Sequence, residues 1–255
     1  MAESNTNQAV GTARTVQRAF DMLRVLRESR IPLRLSDIAQ ETGNHLATTQ
    51  RILNILVASG YALQDRGGYS IGITSLLNSY SFLVSNSLIQ IAQPVVQELA
   101  VTSGHFTSMA VRVEFTQILV LKVEGVRPLR YQRPVGEPMP IYLGGGRILA
   151  AALEKDELDD LLSTIPEVRL ASGEIVTHDE FVESLRIIRE QGYVWGYSQR
   201  EEGAASAAVP VFDYEGRVVA SLQISGYAED FDQSKMEWCV TELKRASTAI
   251  GKRLP

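Results

Sequence analysis

Thr48, Gln50, Arg51 and Asn54 share one side of a segment whose other side is Thr49, Ile52, Leu53 and Leu56. The second set is an i, i+3, i+4, i+7 stripe, which defines a helix and its inward face. The first set is made of side chains that reach base edges and phosphates when a helix lies in a DNA major groove. Ser36 can N-cap a shorter helix just upstream, in which Ala39 is small enough to let a second helix cross closely. Gly43 supplies the turn between the two, Gly60-Tyr61 ends the second, and Gly67-Gly68 turns a two-stranded hairpin. Residues 35–72 are therefore expected to form a winged helix-turn-helix, with double-stranded DNA as the leading partner. The expected DNA contacts are Arg18, Ser36, Asn44, His45, Thr48, Thr49, Gln50, Arg51 and Arg66. Arg51 could hold a guanine or a phosphate, or pair with Glu41 or Asp37 within its own domain. Arg66 reads either as a backbone or minor-groove contact at the wing tip or as a plain turn arginine.

A second constellation is Gly144-Gly145-Gly146, leading into a helix expected from Ile148. Such a loop lets backbone N–H groups approach a ligand, and a helix N-terminus favours a carboxylate. The alternative is a glycine-rich turn that binds nothing. A nucleotide P-loop is not indicated, because no Gly-Lys-Ser/Thr follows.

Other chemistry finds less support. Gly68-Tyr69-Ser70-Ile71-Gly72 formally matches the hydrolase Gly-x-Ser-x-Gly motif. That motif needs a buried strand ending in a strained turn beneath a helix, whereas Tyr69, Ile71 and Ile73 continue a hairpin strand. The chain is thus not expected to be an enzyme. His45, His105, His178 and Cys239 show no ligand-pair spacing, so neither metal nor cofactor is expected. Cys239 lies on an apolar helical face and reads as core.

These elements sit in a chain of 255 residues, 45% hydrophobic and 22% charged, enough for one small and one medium domain. Residues 1–13 are small and polar, read as a disordered tail, and lack the apolar run of a signal peptide. No stretch approaches the roughly 18 apolar residues of a membrane span. One cysteine excludes an intrachain disulfide and fits a reducing cytosol. A bacterial cytoplasmic protein, bound to the nucleoid when on DNA and to no membrane, is the expectation. The net charge of −5 is unevenly spread. Residues 1–75 carry eight arginines against six acidic residues, and the remainder carries 17 basic against 24 acidic. The asymmetry has the sign DNA binding needs, but its small size implies modest non-specific affinity.

Along the chain, residues 14–73 are expected to form the DNA-binding domain, 74–86 a linker helix and 87–255 a second domain. The first helix runs from about Thr15 to Ser29, with Val16, Ala19, Phe20, Leu23 and Leu26 inward and Pro32 stopping it. The segment TSLLNSYSFLV (74–84) is apolar enough to pack on its twin in a dimer; the alternative is an ordinary intradomain helix. Leu88–Ser103 reads as a helix broken or kinked at Pro94. Strands are expected over 109–115, 117–125 and 130–135, then helices over 148–153, 156–163 and 178–191. In the last of these Phe181, Val182, Leu185 and Ile188 point inward and Gly192 is the C-cap. Two strands joined by Tyr214-Glu215-Gly216 and a closing helix over 235–254 complete an α+β layer architecture.

The chain resembles the IclR family of bacterial transcriptional regulators over residues 14–250. The resemblance is carried by Val16-Gln17-Arg18-Ala19, Leu35-Ser36-Asp37-Ile38-Ala39, Gly43, Arg51-Ile52-Leu53, Gly60-Tyr61 and Tyr69-Ser70-Ile71-Gly72. In the second half it is carried by Val135-Gly136, Ala208-Val209-Pro210-Val211-Phe212-Asp213 and Ser225-Gly226. It implies a winged helix-turn-helix, a linker helix and a GAF-like effector domain with an antiparallel sheet, assembled as dimers or dimers of dimers on palindromic operators. It also implies an effector pocket at the glycine loop, with Ser206, Gln223 and Ser225 as its polar groups and Met139 and Ile141 on its apolar side. The effector is expected to be a small carboxylic acid. The stretch around Gln199-Arg200 and Gly203–Ser206 is similar to members controlling aromatic-acid catabolism. There are departures. The family's Gly-Leu-x-Lys/Arg-Ser-Thr reads Gly43-Asn44-His45-Leu46-Ala47-Thr48 here, so Asn44 and His45 are expected to supply replacement contacts. Gln223 stands where the family has serine. A rival reading, given Leu46 and Ala47, is a stand-alone sensor or scaffold with weakened DNA binding.

Overall fold

The structure, a computed structural model, describes residues 2–126 and 133–254, with side chains from Ala13 onward. The chain divides into two compact units, Met1–Val84 and Ser85–Pro255.

In the first unit, helix α1 (Ala2–Glu28) is followed by α2 (Leu35–Glu41), α3 (Leu46–Ala58), strands β1 (Ala62–Asp65) and β2 (Gly68–Ile71), and α4 (Thr74–Ser85). The tail expected to be disordered is thus continuous with α1, apart from Met1, which lies outside the described residues. Met22, Val25 and Leu26 of α1 pack with Ile38, Ile52, Leu53, Leu56 and Tyr69. The inward face of α1 is therefore rotated from the expected one. Ala19 and Leu23 border the core, while Val16 and Phe20 are exposed. Ser36 lies inside α2 rather than capping it. The N–H of Arg34, the residue before the helix, donates to Asp37 Oδ2 at 3.2 Å, the reciprocal half of a capping box. Gly43 turns between α2 and α3 at φ +63°, a region that favours glycine. The wing pairs Ala62 with Ile71 through to Asp65 with Gly68, which places the Gly-x-Ser-x-Gly motif on a hairpin strand. α4 has no buried residue; Leu76, Leu77, Tyr80, Phe82 and Val84 are exposed.

The second unit is a six-stranded antiparallel sheet in the order β5-β4-β3-β10-β9-β8. Its members are β3 (Phe106–Val113), β4 (Thr116–Val123), β5 (Pro138–Pro140), β8 (Val194–Tyr197), β9 (Ala204–Phe212) and β10 (Val218–Tyr227). Of the strand expected over 130–135, residues 130–132 lie outside the described residues and 133–135 belong to no strand. The edge of the sheet is instead β5, paired to Thr116–Ile118. Helices α5 (Ser87–Ser103) and α9 (Gln233–Gly251) pack on each other and on the sheet. α5 runs unbroken through Pro94.

A 3-10 turn at Gly144–Gly146 leads into α6 (Arg147–Ala150), then α7 (Lys155–Thr164), a short hairpin β6 (Val168–Arg169) and β7 (Ile175–Val176), and α8 (His178–Gln191). Phe181, Leu185 and Ile188 of α8 join Ile148, Leu149 and Leu161 in one core, whereas Val182 stays exposed. Side chains alternate across a strand. Ser221, Gln223 and Ser225 therefore share the face of their cross-strand partners Pro210, Ala208 and Ser206. Leu222, Ile224, Ala207, Val209 and Val211 occupy the other face and are fully buried.

Candidate functional site

The DNA-reading candidates fall into two groups. Arg51, Asn54, His45, Leu46 and Ala47 are exposed on α3 or at its start, and Arg66 is exposed in the wing turn. Arg51 forms no ion pair among the described residues, so the pairing with Glu41 or Asp37 is not made. Arg18 on α1 and Thr48 are half-buried, and Ser36 is exposed with its Oγ donating to Asp37 Oδ1 at 3.1 Å. Thr49 belongs with neither group. It has no exposure, and its Oγ1 donates to the His45 carbonyl at 3.2 Å. Its place on the apolar stripe takes it out of reach of a base. Gln50 is half-buried, and its Nε2 donates to Asn54 Oδ1 at 2.8 Å and to the Tyr69 hydroxyl at 2.9 Å. Asn44 is also partly engaged, donating to the Thr42 carbonyl at 3.2 Å.

In the second unit, an open cleft of about 1120 Å³ is lined by Gly144, Gly196, Arg200, Ser206, Gln223 and Ser225 among others. A small adjoining pocket of about 20 Å³ shares Arg200 and Gln223 with it and adds Ser108, Gln117, Arg133 and Met139. Four of the expected effector residues thus meet at the cleft, and Met139 lines the smaller pocket. Ile141 has no exposure and packs in the core with Ile148 and Leu149. Gly145 and Gly146 are buried as well.

The glycine turn is held from the sheet side. Gln117 Nε2 donates to the carbonyls of Pro140 and Leu143 at 3.0 and 3.2 Å, and Ser221 Oγ donates to the Gly145 carbonyl at 2.7 Å. A Cβ at Gly145 would come within 2.1 Å of Gln223 Oε1, so the end of that side chain would have to swing away, and within 3.2 Å of Ala208 Cβ. The Gly146 N–H is spent on the Leu143 carbonyl at 3.1 Å. Gln223 Nε2 in turn donates to Ser225 Oγ.

Gln117, Ser221 and Arg200 were not among the expected site residues. The first two carry a visible signal, since each is a polar side chain interrupting an apolar strand pattern. Arg200 enters the sequence reading only within the stretch similar to members controlling aromatic-acid catabolism, with no role assigned to it. It sits in the loop between β8 and β9, and only the fold brings it to the cleft.

Residues 15–66 match the IclR helix-turn-helix domain family, and residues 80–252 match the bacterial transcriptional regulator IclR C-terminal family. The chain is 26% identical to the HTH-type transcriptional regulator XynR of Escherichia coli K12, over 94% of this chain and 96% of that one. It is 26% identical to the transcriptional repressor IclR of the same organism, over 87% and 82%. A solved IclR family transcriptional regulator from Brucella abortus superposes with a TM-score of 0.79 at 24% identity, over 94% of this chain and 92% of that one. An IclR homologue from Microbacterium hydrocarbonoxydans, solved with 4-hydroxybenzoate, gives 0.75 at 21% identity, over 94% and 98%.

A winged helix-turn-helix joined to an antiparallel ligand-binding domain defines a DNA-binding transcriptional regulator with an effector domain. This chain belongs to the IclR family of such regulators. Among the described residues no helix is long and apolar enough to cross a membrane.

Proposed function

We propose that this regulator binds a palindromic operator as a homodimer or a dimer of dimers, and that a small organic acid in the C-terminal cleft modulates its operator affinity. The observation that carries the reading is the cleft, where Ser206, Gln223, Ser225 and Gly144 converge beside the one cationic side chain lining it among the described residues, Arg200. A pocket with a few convergent polar groups is the usual form of a small-molecule site. The neighbour solved with 4-hydroxybenzoate makes aromatic acids the first compounds to try.

On the DNA side, Arg51 with Asn54 is the proposed base-reading pair, supported by Asn44, His45 and Thr48. Arg18 and Arg66 are proposed backbone contacts. Leu46 and Ala47 offer exposed apolar surface at the helix start, which suits contact with thymine methyl groups. The exposed apolar face of α4 is the proposed pairing surface between copies. An acid bound in the cleft would act by changing the spacing of half-sites, a coupling of about 1–3 kcal/mol. Residues 14–73, 74–86 and 87–255 are the proposed divisions of labour.

The test is selection of bound fragments from random genomic DNA by the full chain, followed by acid titration of the complex. Recovery of two-fold symmetric sites whose occupancy changes with an acid is the expected result. Enrichment of no sequence over bulk DNA would instead favour a sensor or scaffold that no longer reads DNA.

A further inference from the structure

Arg200 is a half-buried cation with no ion-pair partner of its own among the described residues. Its Nε is fully buried and has no hydrogen bond among the described residues. Among the described residues its Nη1 meets only the Met139 sulfur, at 3.4 Å, a weak acceptor. It forms no ion pair among the described residues. The neighbouring Arg133, by contrast, has both Glu137 and Glu201 within 3.6 and 3.7 Å. Burial first, and then the like charge of Arg133, hold the Arg200 guanidinium below the ordinary arginine range, against the weaker opposing pull of Glu201 and Glu137. Leaving such a group unpaired costs free energy that an anion would recover.

The acidic groups near the cleft do not fill this role. Glu202 and Glu229 are exposed at its rim, where solvent screens them, and Glu201 is turned to Arg133. The loop that carries Arg200 is also fixed in advance. The Ser198 N–H donates to the Ala204 carbonyl at 2.7 Å, and Ser198 Oγ accepts from the Gly203 N–H at 3.0 Å. Ser198 itself is held at φ +47°, a conformation that persists only when its surroundings enforce it. Facing the loop across the cleft are neutral groups, Ser206, Gln223 and Ser225.

We infer that Arg200 is the anion receptor of the cleft, and that the effector is an organic molecule whose carboxylate docks on this guanidinium rather than on the glycine turn. The inference rests on the reading of the cleft as the effector site. Arginine suits the task because its planar fork pairs with both carboxylate oxygens. The glycine turn offers only neutral backbone groups, and of these the Gly146 N–H is spent on the Leu143 carbonyl and the Gly145 carbonyl on Ser221. Ser206, whose hydroxyl has no hydrogen bond among the described residues, is left to bind a polar substituent at the far end of the ligand.

The experiment is calorimetry of the full-length chain with aromatic and aliphatic carboxylates, each paired with its primary amide, and with phenyl phosphate. The wild type, Arg200→Gln and Arg200→Lys are compared. The wild type should bind a carboxylate at least about tenfold tighter than its amide, the scale of a charge-assisted hydrogen bond. Arg200→Gln should abolish the difference without loss of amide binding, and Arg200→Lys should retain part of it. A thermal melt of each variant checks folding, and the wild-type comparison stands even if Arg200→Gln fails to fold. Equal binding of acids and amides by the wild type would overturn the role of Arg200 while leaving the cleft as the effector site. So would a preference that survives Arg200→Gln in a folded chain. Tighter binding of phenyl phosphate than of benzoate would overturn the carboxylate assignment. Absence of binding by every compound would overturn both the inference and the effector reading beneath it.

Discussion

Gln50 on the recognition helix α3 donates a hydrogen bond to the hydroxyl of Tyr69 on the wing strand β2, at 2.9 Å. The same nitrogen donates to Asn54 at 2.8 Å. Both amide donors of Gln50 are therefore engaged inside the domain, and the residue braces helix against wing. Gln50→Ala should cost about 1 kcal/mol of stability and leave base preference in selected operator fragments unchanged. Urea unfolding of the DNA-binding unit, with fragment selection by the variant, checks this. A changed consensus with unchanged stability would return Gln50 to the base-reading set.

Arg51 stands exposed on the same helix without an ion pair among the described residues. Arg51→Ala should weaken operator binding by about 1–3 kcal/mol and relax preference at one base position. If it contacts phosphate instead, all sequences should weaken alike and the slope of log affinity against log salt should fall by about 1. Anisotropy titrations at several salt concentrations separate the two outcomes. Undiminished binding in every case would remove Arg51 from the interface.

The apolar face of α4 is the proposed surface between copies. Leu77→Glu and Tyr80→Asp, at positions 60% and 65% exposed in the single chain, should each disfavour association by about 1.5–3 kcal/mol, the scale for burying a large apolar side chain. Sedimentation should then show smaller species, and operator affinity should drop with them. Unaltered sedimentation would place the pairing surface elsewhere.

Gly145→Val should abolish ligand binding, because its Cβ would fall 2.1 Å from Gln223 Oε1 and 3.2 Å from Ala208 Cβ. The glycine turn, Gln223 or both must shift, at a cost of about 1–3 kcal/mol in that domain. Calorimetry and thermal melting report the two effects, and DNA binding without ligand should persist. Ligand binding at wild-type strength would mean that the turn does not shape the cleft.

Burial pushes the Cys239 thiol up to about 11. The native thiol should stay protonated and resist alkylation at pH 8, then react fully in denaturant. The unfolded thiol ionises at lower pH than the folded one. Its contribution to stability should therefore be complete at neutral pH and decline as pH rises through the ordinary thiol range toward 11. Fast labelling of the folded chain would show that the helix bearing Cys239 opens readily.

The sequence was most legible where a period could be read. The stripe Thr49, Ile52, Leu53, Leu56 is the buried face of α3, and α8 begins and ends at the residues its cap signals indicate. Legibility failed where tertiary contacts decide. Val16 and Phe20 fit a helical stripe but stay exposed, because Met22, Val25 and Leu26 face the neighbouring helices. Short elements such as β5, β6, β7 and β8, of two to four residues, are too brief to display a period. The site divided in the same way. Ser206, Gln223 and Ser225 are named in the sequence by the family motif alone, and the structure brings them to one cleft. Arg200 reaches the cleft through a loop whose path depends on a left-handed serine.

Strand β9 contributes Ala204, Ala205, Ala207 and Ala208 around the single hydroxyl of Ser206. Two of these, Ala204 and Ala205, border the cleft. Part of its capacity is therefore stored as carbon that is not there. Such a chamber is retuned by enlarging one methyl group at a time, in a strand remote in sequence from the helix that reads DNA. A lineage of regulators built this way could change which molecule it answers to while leaving its genomic address intact.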